Sequence, residues 1–169
     1  MNNLKIRAMQ EIDCDKIAEA FQAQGWDKPI TLYQEYFAEQ QSGERDVFIA
    51  EFEGEFAAYV TIKWETNYVY FKENSIPEIK DLNTLIKFRN NGIAAILMDK
   101  AEARIKEKGY QTVGLGVGLY SDYGTAQRMY VKRGYNFDGR GLTYNGEIVK
   151  PGNDVFVDDN LNLSMIKKL

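Results

Sequence analysis

The stretch that decides the fold reads Lys87-Phe88-Arg89-Asn90-Asn91-Gly92-Ile93-Ala94. It follows residues 77–86, in which Ile79 alternates with polar neighbours as in a strand. After it, apolar residues recur at helical spacing, and these are Ile93, Ile96, Leu97, Ala101 and Ile105. Because Gly109 is a helix-ending residue, the pattern predicts a helix from Gly92 to about Lys108. A polar turn between a strand and a helix is typical of an α/β unit.

This turn has the properties of an anion-binding loop. The first N–H groups of a helix have no acceptor within the helix and carry a partial positive charge. Gly92 would let phosphate oxygens approach the backbone, and Lys87 and Arg89 could add charge-assisted hydrogen bonds. On this fragment alone, an ordinary surface turn that starts a helix is the better interpretation.

A second informative stretch follows one predicted strand (residues 111–119) later. It reads Asp122-Tyr123-Gly124-Thr125-Ala126-Gln127-Arg128-Met129-Tyr130-Val131-Lys132-Arg133-Gly134-Tyr135. A helix is predicted from Asp122 to Arg133, within which Ala126 and Tyr130 are four residues apart. Gly134 follows at the same spacing, where a glycine ends a helix.

Together, the two stretches resemble the pyrophosphate loop and the tyrosine-bearing helix of the GNAT family of N-acetyltransferases. Residues 89–94 fit the family's Gln/Arg-x-x-Gly-x-Gly/Ala pattern, and Ala126, Tyr130 and Gly134-Tyr135 fit the pattern that closes its cofactor site. The resemblance covers residues 78–135 well and the remainder only through the order of elements. It implies one mixed α/β domain over residues 1–169, with a central sheet of six to seven strands flanked by about four helices.

The family resemblance also implies a reaction. The chain would bind acetyl-coenzyme A and transfer its acetyl group to a primary amine of a small molecule or peptide by direct attack, without a metal and with coenzyme A as product. The implied cofactor-binding residues are Leu85, Ile86, Lys87, Arg89, Asn90, Asn91, Gly92, Ile93, Ala94, Tyr123, Gly124 and Gln127. Backbone N–H near Leu85 would polarise the thioester carbonyl. Tyr123 stands where relatives often have an asparagine that binds the pantetheine arm.

Two acid–base roles follow from the same resemblance. Tyr130 aligns with the tyrosine whose hydroxyl lies near the coenzyme A sulfur and would act as a general acid toward the departing thiolate. The alternative for Tyr130 is a core aromatic residue with its hydroxyl at the surface. Glu78, on the strand before the loop, is the tentative general base, and its alternative is an edge carboxylate in water.

Aromatic residues in the first half of the chain are candidates for the acceptor pocket. Trp26, Trp64 and Tyr68 could stack on a cationic or aromatic substrate and are the tentative substrate residues. Tyr33 and Tyr36 fit a helix stripe and are expected in the core.

Three alternating glycines, Gly114, Gly116 and Gly118, do not have the spacing of a dinucleotide-binding fingerprint. Strict alternation puts them on one face of a strand, with apolar residues on the other. A bare face allows a close approach of other parts of the chain or of a ligand, and packing is the favoured alternative.

Composition narrows the function further. The chain has 169 residues, one cysteine and no histidine, which excludes Ser-His-Asp and Cys-His catalysis and argues against zinc. A net charge of −4 argues against nucleic-acid binding, which needs clustered Lys and Arg. No apolar run approaches the roughly 18 residues of a membrane span. The first residues, Met1 to Lys5, lack the apolar stretch of a secretory signal, so a cytoplasmic location is expected. Dimers are common among relatives, so a homodimer is possible.

Two other functions compete with catalysis. A non-catalytic acyl-coenzyme A sensor or regulatory module would use the same loop and would show no turnover. A nucleotide-binding regulator would also need an anion loop, but the Gly-Lys-Ser/Thr sequence is missing there. The acceptor amine and the acyl-chain preference are not encoded in any recognisable motif.

Overall fold

The structure is a computed structural model that describes residues 3–169. Met1 and Asn2, which the signal-peptide expectation partly concerns, lie outside the described residues. The described chain contains eight β-strands and five α-helices. The mixed α/β class is therefore confirmed, whereas six to seven strands and about four helices are too few.

The elements have the following bounds. The strands are β1 (Leu4–Ala8), β2 (Arg45–Phe52), β3 (Glu55–Lys63), β4 (Glu78–Thr84), β5 (Thr112–Gly118), β6 (Asn136–Tyr144), β7 (Glu147–Ile148) and β8 (Leu161–Lys168). The helices are α1 (Asp13–Ala23), α2 (Ile30–Ser42), α3 (Val69–Glu73), α4 (Ile93–Glu107) and α5 (Gly124–Lys132). The chain forms two compact units: the first unit is the chain through Lys63 with Ile79–Arg104, and the second unit is Trp64–Glu78 with Ile105–Leu169.

In the first unit, the strands lie in the order β1-β2-β3-β4. β2 is antiparallel to both β1 and β3, and a turn at Glu53-Gly54 joins β2 to β3. The Leu85 N–H donates to the Ala57 carbonyl at 2.9 Å, and the Thr61 hydroxyl donates to the Lys80 carbonyl at 2.9 Å. The first bond pairs the end of β4 with the beginning of β3, and the second pairs the beginning of β4 with the end of β3, so β4 runs antiparallel to β3.

Aromatic packing forms the core between α1, α2 and this sheet. The Phe21 ring lies 6.4 Å from the Tyr33 ring and 5.9 Å from the Tyr59 ring, and all three side chains are fully buried. Tyr36 is buried beside them, so the prediction that Tyr33 and Tyr36 belong to the core is confirmed. Stacked and edge-to-face contacts of this kind stabilise by about 0.5–1.5 kcal/mol beyond the area that they bury.

The predicted amphipathic helix is α4, one residue shorter at each end than expected. Its apolar stripe is buried as the fourfold spacing requires, with Ile93 only 1% exposed and Leu97, Ala101 and Ile105 fully buried. Because burying one such aliphatic side chain contributes about 1.5–3 kcal/mol, this stripe holds α4 in place.

In the second unit, the strands lie in the order β5-β8-β6-β7. β8 is antiparallel to β5 and β6, and a turn at Asn145-Gly146 joins β6 to β7. The first residue of β4, Glu78, pairs with Gly114 of β5 in parallel orientation. The strand before α4 and the strand after it are therefore parallel neighbours, as in an α/β unit.

The stretch 65–75 has no helical period in the sequence, yet it contains the short helix α3. Its Phe71 side chain is 1% exposed, and two of its ring carbons lie 2.4 Å from where a Cβ on Gly114 would be. The Tyr123 ring covers Gly118 in the same way, with a ring carbon 2.4 Å from where a Cβ on Gly118 would be. Packing is therefore confirmed as the reason for these two bare positions, while Gly116 has only the Asn162 side chain near it, at 3.5 Å.

A matched pair of substitutions tests this packing. Gly114→Ala is expected to lower the free energy of unfolding by about 1–3 kcal/mol, because the methyl group would displace a buried ring. Gly116→Ala, on the same face of β5, meets ordinary van der Waals distances and should change stability far less. Urea unfolding of both variants measures the difference. Equal stabilities would show that the Phe71 ring can move aside at no cost.

Candidate functional site

The loop before α4 is shaped by two residues in the left-handed region. A 3₁₀ turn at Ile86–Phe88 leads to Asn90, with φ of 64°, and Gly92, with φ of 72°. Glycine adopts this conformation freely, and asparagine tolerates it better than most residues. The Asn91 side-chain amide donates to the carbonyls of Phe88 and Arg89, at 3.2 and 3.3 Å. The two asparagines thus shape the turn that delivers the chain to the start of α4.

Two cations flank this loop and are held only weakly. The Lys87 ammonium pairs with Glu55, and both side chains are more than half exposed. Exposed pairs of this kind contribute at most about 1 kcal/mol, so an anion at the loop can draw Lys87 away. The Arg89 guanidinium lies 5.4 Å from the centroid of the Trp26 ring. That ring also stacks on Phe21 at 5.6 Å, so Trp26 connects the predicted loop to the core.

Two backbone N–H groups just after β4 already donate hydrogen bonds within the protein. The N–H of Leu85 donates to Ala57, and the N–H of Ile86 donates to the Gln24 side chain at 2.9 Å. The N–H of Leu85 itself therefore has a partner within the sheet, and the role of a backbone N–H near Leu85 in polarising a carbonyl stays a prediction. A groove of about 790 Å³ borders the same place, and Gln24, Leu85, Ile86 and Lys87 are among its lining residues.

In the second unit, α5 carries the other predicted cofactor residues. The Tyr123 hydroxyl donates to Asp159 at 2.8 Å, and the Gln127 amide donates to the Gly118 carbonyl at 2.8 Å. Burial and the Asp159 carboxylate both raise the pKa of Tyr123. These two side chains therefore stabilise the junction between β5 and α5, and the partly exposed Gly124 opens the helix.

Tyr130 lies on the buried face of α5, with 8% of its surface exposed. Its ring meets the Tyr135 ring at 5.8 Å with an interplanar angle of 62°. Burial raises the pKa of Tyr130 to about 12, because the phenolate would be poorly solvated there. The phenol therefore keeps its proton throughout the neutral range, which is the state that a general acid requires.

Glu78 and two of the predicted substrate residues are buried in the second unit. The Glu78 carboxylate accepts a hydrogen bond from the Thr66 hydroxyl at 2.7 Å, so it is not the water-exposed edge carboxylate of the alternative interpretation. The Trp64 ring stacks on Tyr110 at 5.8 Å. The Tyr68 hydroxyl donates to Asp138 at 2.6 Å. Packing already explains Trp64 and Tyr68, and their role toward a substrate stays a prediction.

A polar network in the first unit was not anticipated from the sequence. The Asp81 carboxylate accepts hydrogen bonds from the hydroxyls of Tyr36 at 2.8 Å and Tyr59 at 2.6 Å. The Asn83 amide donates to the other carboxylate oxygen at 2.5 Å. Burial, reinforced by the neighbouring carboxylate, raises the pKa of both tyrosines, so both remain donors at neutral pH. No local sequence pattern predicts this network, because its members come from α2, β3 and β4.

Comparison with known proteins decides the family. A sequence profile described as the Acetyltransferase (GNAT) family matches residues 8–135 of this chain. The chain belongs to the GNAT family. The match includes both the loop at residues 87–94 and the Tyr130 helix, so the resemblance first noticed in these two stretches is confirmed.

Individual relatives agree with the family. An uncharacterized N-acetyltransferase from Chlorobaculum tepidum is 35% identical over 69 residues, which is 41% of this chain and only 40% of that protein. An N-acetyltransferase structure from Staphylococcus aureus superimposes with a TM-score of 0.72 at 18% identity, with 98% of each chain covered. A GNAT family acetyltransferase from Elizabethkingia anophelis with acetyl-CoA bound gives 0.65 at 18% identity, with 100% of each covered. At such identities the likeness to both structures is one of fold.

Residues 3–169 contain neither a metal-binding cluster nor a helix that could span a membrane. No three His, Cys, Asp or Glu side chains in this part of the chain are grouped so that they could hold a metal ion. None of the helices formed by these residues is both long and apolar enough to cross a bilayer.

Proposed function

We propose that this GNAT protein is an N-acetyltransferase that transfers an acetyl group from acetyl-coenzyme A to a primary amine of a small molecule or peptide. The observation that carries the proposal is the family match over residues 8–135, which contains the Arg89–Ala94 motif. We take the chain to work as one cytoplasmic domain, without nucleic acid or membrane as partner. A homodimer remains part of the hypothesis.

The loop before α4 fits the diphosphate of coenzyme A. Gly92 leaves its backbone open, and its left-handed conformation turns the chain into the helix, where N–H groups favour an anion. Lys87 and Arg89 would add charge-assisted hydrogen bonds once released from Glu55 and Trp26. Acetyl-coenzyme A would supply the acetyl group, activated as a thioester, and coenzyme A would leave as the free thiol.

Proton transfer would be carried out by side chains of this chain. Tyr130 holds a proton at neutral pH and would donate it to the sulfur as the carbon–sulfur bond breaks. The amine must lose a proton as its bond to the acetyl carbon forms, and Glu78 remains the candidate base. Glu78→Gln is the variant that addresses this second role, with the pH profile of turnover as its readout.

Thermal unfolding with four ligands tests the proposal first. Acetyl-coenzyme A and coenzyme A at about 100 times their dissociation constants should each add roughly 2.7 kcal/mol of stability. In a domain of this size that is a rise of several degrees in Tm. ATP and NAD, at the same concentrations, should produce a much smaller shift. No shift with the coenzyme A pair, in a sample that unfolds cooperatively, would contradict the proposal.

Turnover separates an enzyme from a sensor. Release of free thiol from acetyl-coenzyme A is measured with a panel of small amines and short peptides. Thiol release that depends on the amine supports the transferase. Tight binding of acetyl-coenzyme A with no release for any amine would favour the acyl-coenzyme A sensor instead.

A further inference from the structure

In the first unit, the ammonium group of Lys28 makes only weak polar contacts with the side chains around it. Lys28 lies in the segment between α1 and α2, and its ammonium is 3.5 Å from the Asp81 carboxylate and 3.4 Å from the Tyr59 hydroxyl. Charge-assisted hydrogen bonds are usually about 2.7–2.9 Å long, so both contacts are weak. The Asp81 carboxylate is much more tightly held by its neutral donors, Tyr36, Tyr59 and Asn83.

The surroundings of the ammonium are those of a cation site. It lies 5.3 Å from the centroid of the Phe21 ring, within the range of cation–π attraction, and it meets Tyr59 at the hydroxyl oxygen. The side chains of Lys28 and Asp81 are 24% and 20% exposed, so the cluster is open to solvent. Another cation beside the cluster is Arg45, which stacks on Tyr36 but is already paired with Glu39.

The backbone presents the carboxylate in an unusual way. Asp81 has φ of 52°, a left-handed conformation in the middle of strand β4. Such residues interrupt the alternation of a strand and re-aim a side chain. Here the result is that Asp81 meets side chains from α2 and from β3 at the same time.

We propose that Asp81, Tyr59 and Phe21 form a binding site for a primary ammonium group, which Lys28 occupies in the free protein and which the ammonium of an incoming amine takes by displacing Lys28. The site holds one carboxylate, one hydroxyl oxygen and one ring face, so it selects a single positive charge on an alkyl chain rather than a neutral or anionic acceptor. Naming this amine as the acetyl acceptor rests on the proposed function, whereas the ammonium site itself does not.

The test measures amine binding directly, without acetyl-coenzyme A. The 169-residue chain is titrated with n-butylamine and, as a neutral counterpart, n-butanol, and binding is followed by protein NMR. Lys28→Ala should lower the dissociation constant for n-butylamine about tenfold, because the internal competitor is gone. Affinity for n-butanol should not change. Lys5→Ala removes an exposed lysine elsewhere in the same unit and should leave n-butylamine binding as in the wild type.

A second substitution ties binding to the carboxylate. Asp81→Asn in the Lys28→Ala background should raise the dissociation constant for n-butylamine at least about tenfold, as expected for a lost bond to a charged group. Asparagine tolerates the left-handed backbone, so this variant should fold. Equal affinities in wild type and Lys28→Ala, or binding that survives Asp81→Asn, would overturn the proposal. Amine binding without any acetyl-coenzyme A binding would leave this site standing and remove only the transferase function.

Discussion

Gly92→Glu is expected to lower the affinity for acetyl-coenzyme A at least about 100-fold, a loss of roughly 2.7 kcal/mol. The carboxylate would lie at the turn into α4, where the diphosphate is proposed to bind, and like charges placed together cost several kcal/mol. The side chain would also cover backbone that only glycine leaves open. Isothermal titration of acetyl-coenzyme A into the variant measures the change.

Two further variants at the same position separate charge from strain. Gly92 has φ of 72°, so any side chain there costs about 1–2 kcal/mol of backbone strain. Gly92→Ala carries that strain with little bulk, and Gly92→Gln adds the bulk without the charge. The loss of affinity should increase from alanine to glutamine to glutamate, while circular dichroism shows each variant folded. Wild-type affinity in Gly92→Glu would place the diphosphate elsewhere.

The parts of the fold that the sequence predicts are those with a repeating local pattern. Helix α4 was predicted to within one residue at each end, because its buried stripe repeats every four residues over three turns. Helix α3 was missed, since its five residues are too few to show a period and are held by tertiary packing of Phe71 against Gly114. Strand β7 has two residues and no alternation to detect, which explains the undercount of strands.

In the candidate site, too, contiguous motifs could be predicted from the sequence, whereas residues brought together by tertiary structure could not. The loop at residues 89–94 and Tyr130 are contiguous motifs, so they could be found in the sequence and place the chain in its family. The Asp81 network could not, because Lys28, Tyr36, Tyr59 and Asp81 are far apart in sequence. A left-handed aspartate inside a strand also breaks the alternation from which side-chain directions are inferred. The hydrogen bond from the Leu85 N–H likewise depends on tertiary structure and has no local sequence signal.

Tyr130→Phe is expected to lower the turnover number about 100-fold or more, the usual contribution of a general acid. The substitution removes one oxygen and keeps the ring, so packing against Tyr135 should persist. Without the phenol, the departing thiolate must take its proton from water or leave unprotonated. Affinity for acetyl-coenzyme A should remain close to that of the wild type, since the ring and the loop before α4 are unchanged.

The comparison of turnover with binding is what makes this variant decisive. Steady-state thiol release gives the turnover number, and titration gives the dissociation constant of acetyl-coenzyme A. Tyr144→Phe, which removes a hydroxyl that donates to Asp158 at 2.9 Å, is the matched control and should keep full turnover. A Tyr130→Phe protein that turns over like the wild type would show that the thiolate obtains its proton from another group. Lost turnover together with lost binding would instead mean that Tyr130 acts through the shape of the cofactor site, because a missing proton donor slows the reaction without weakening the ground-state complex.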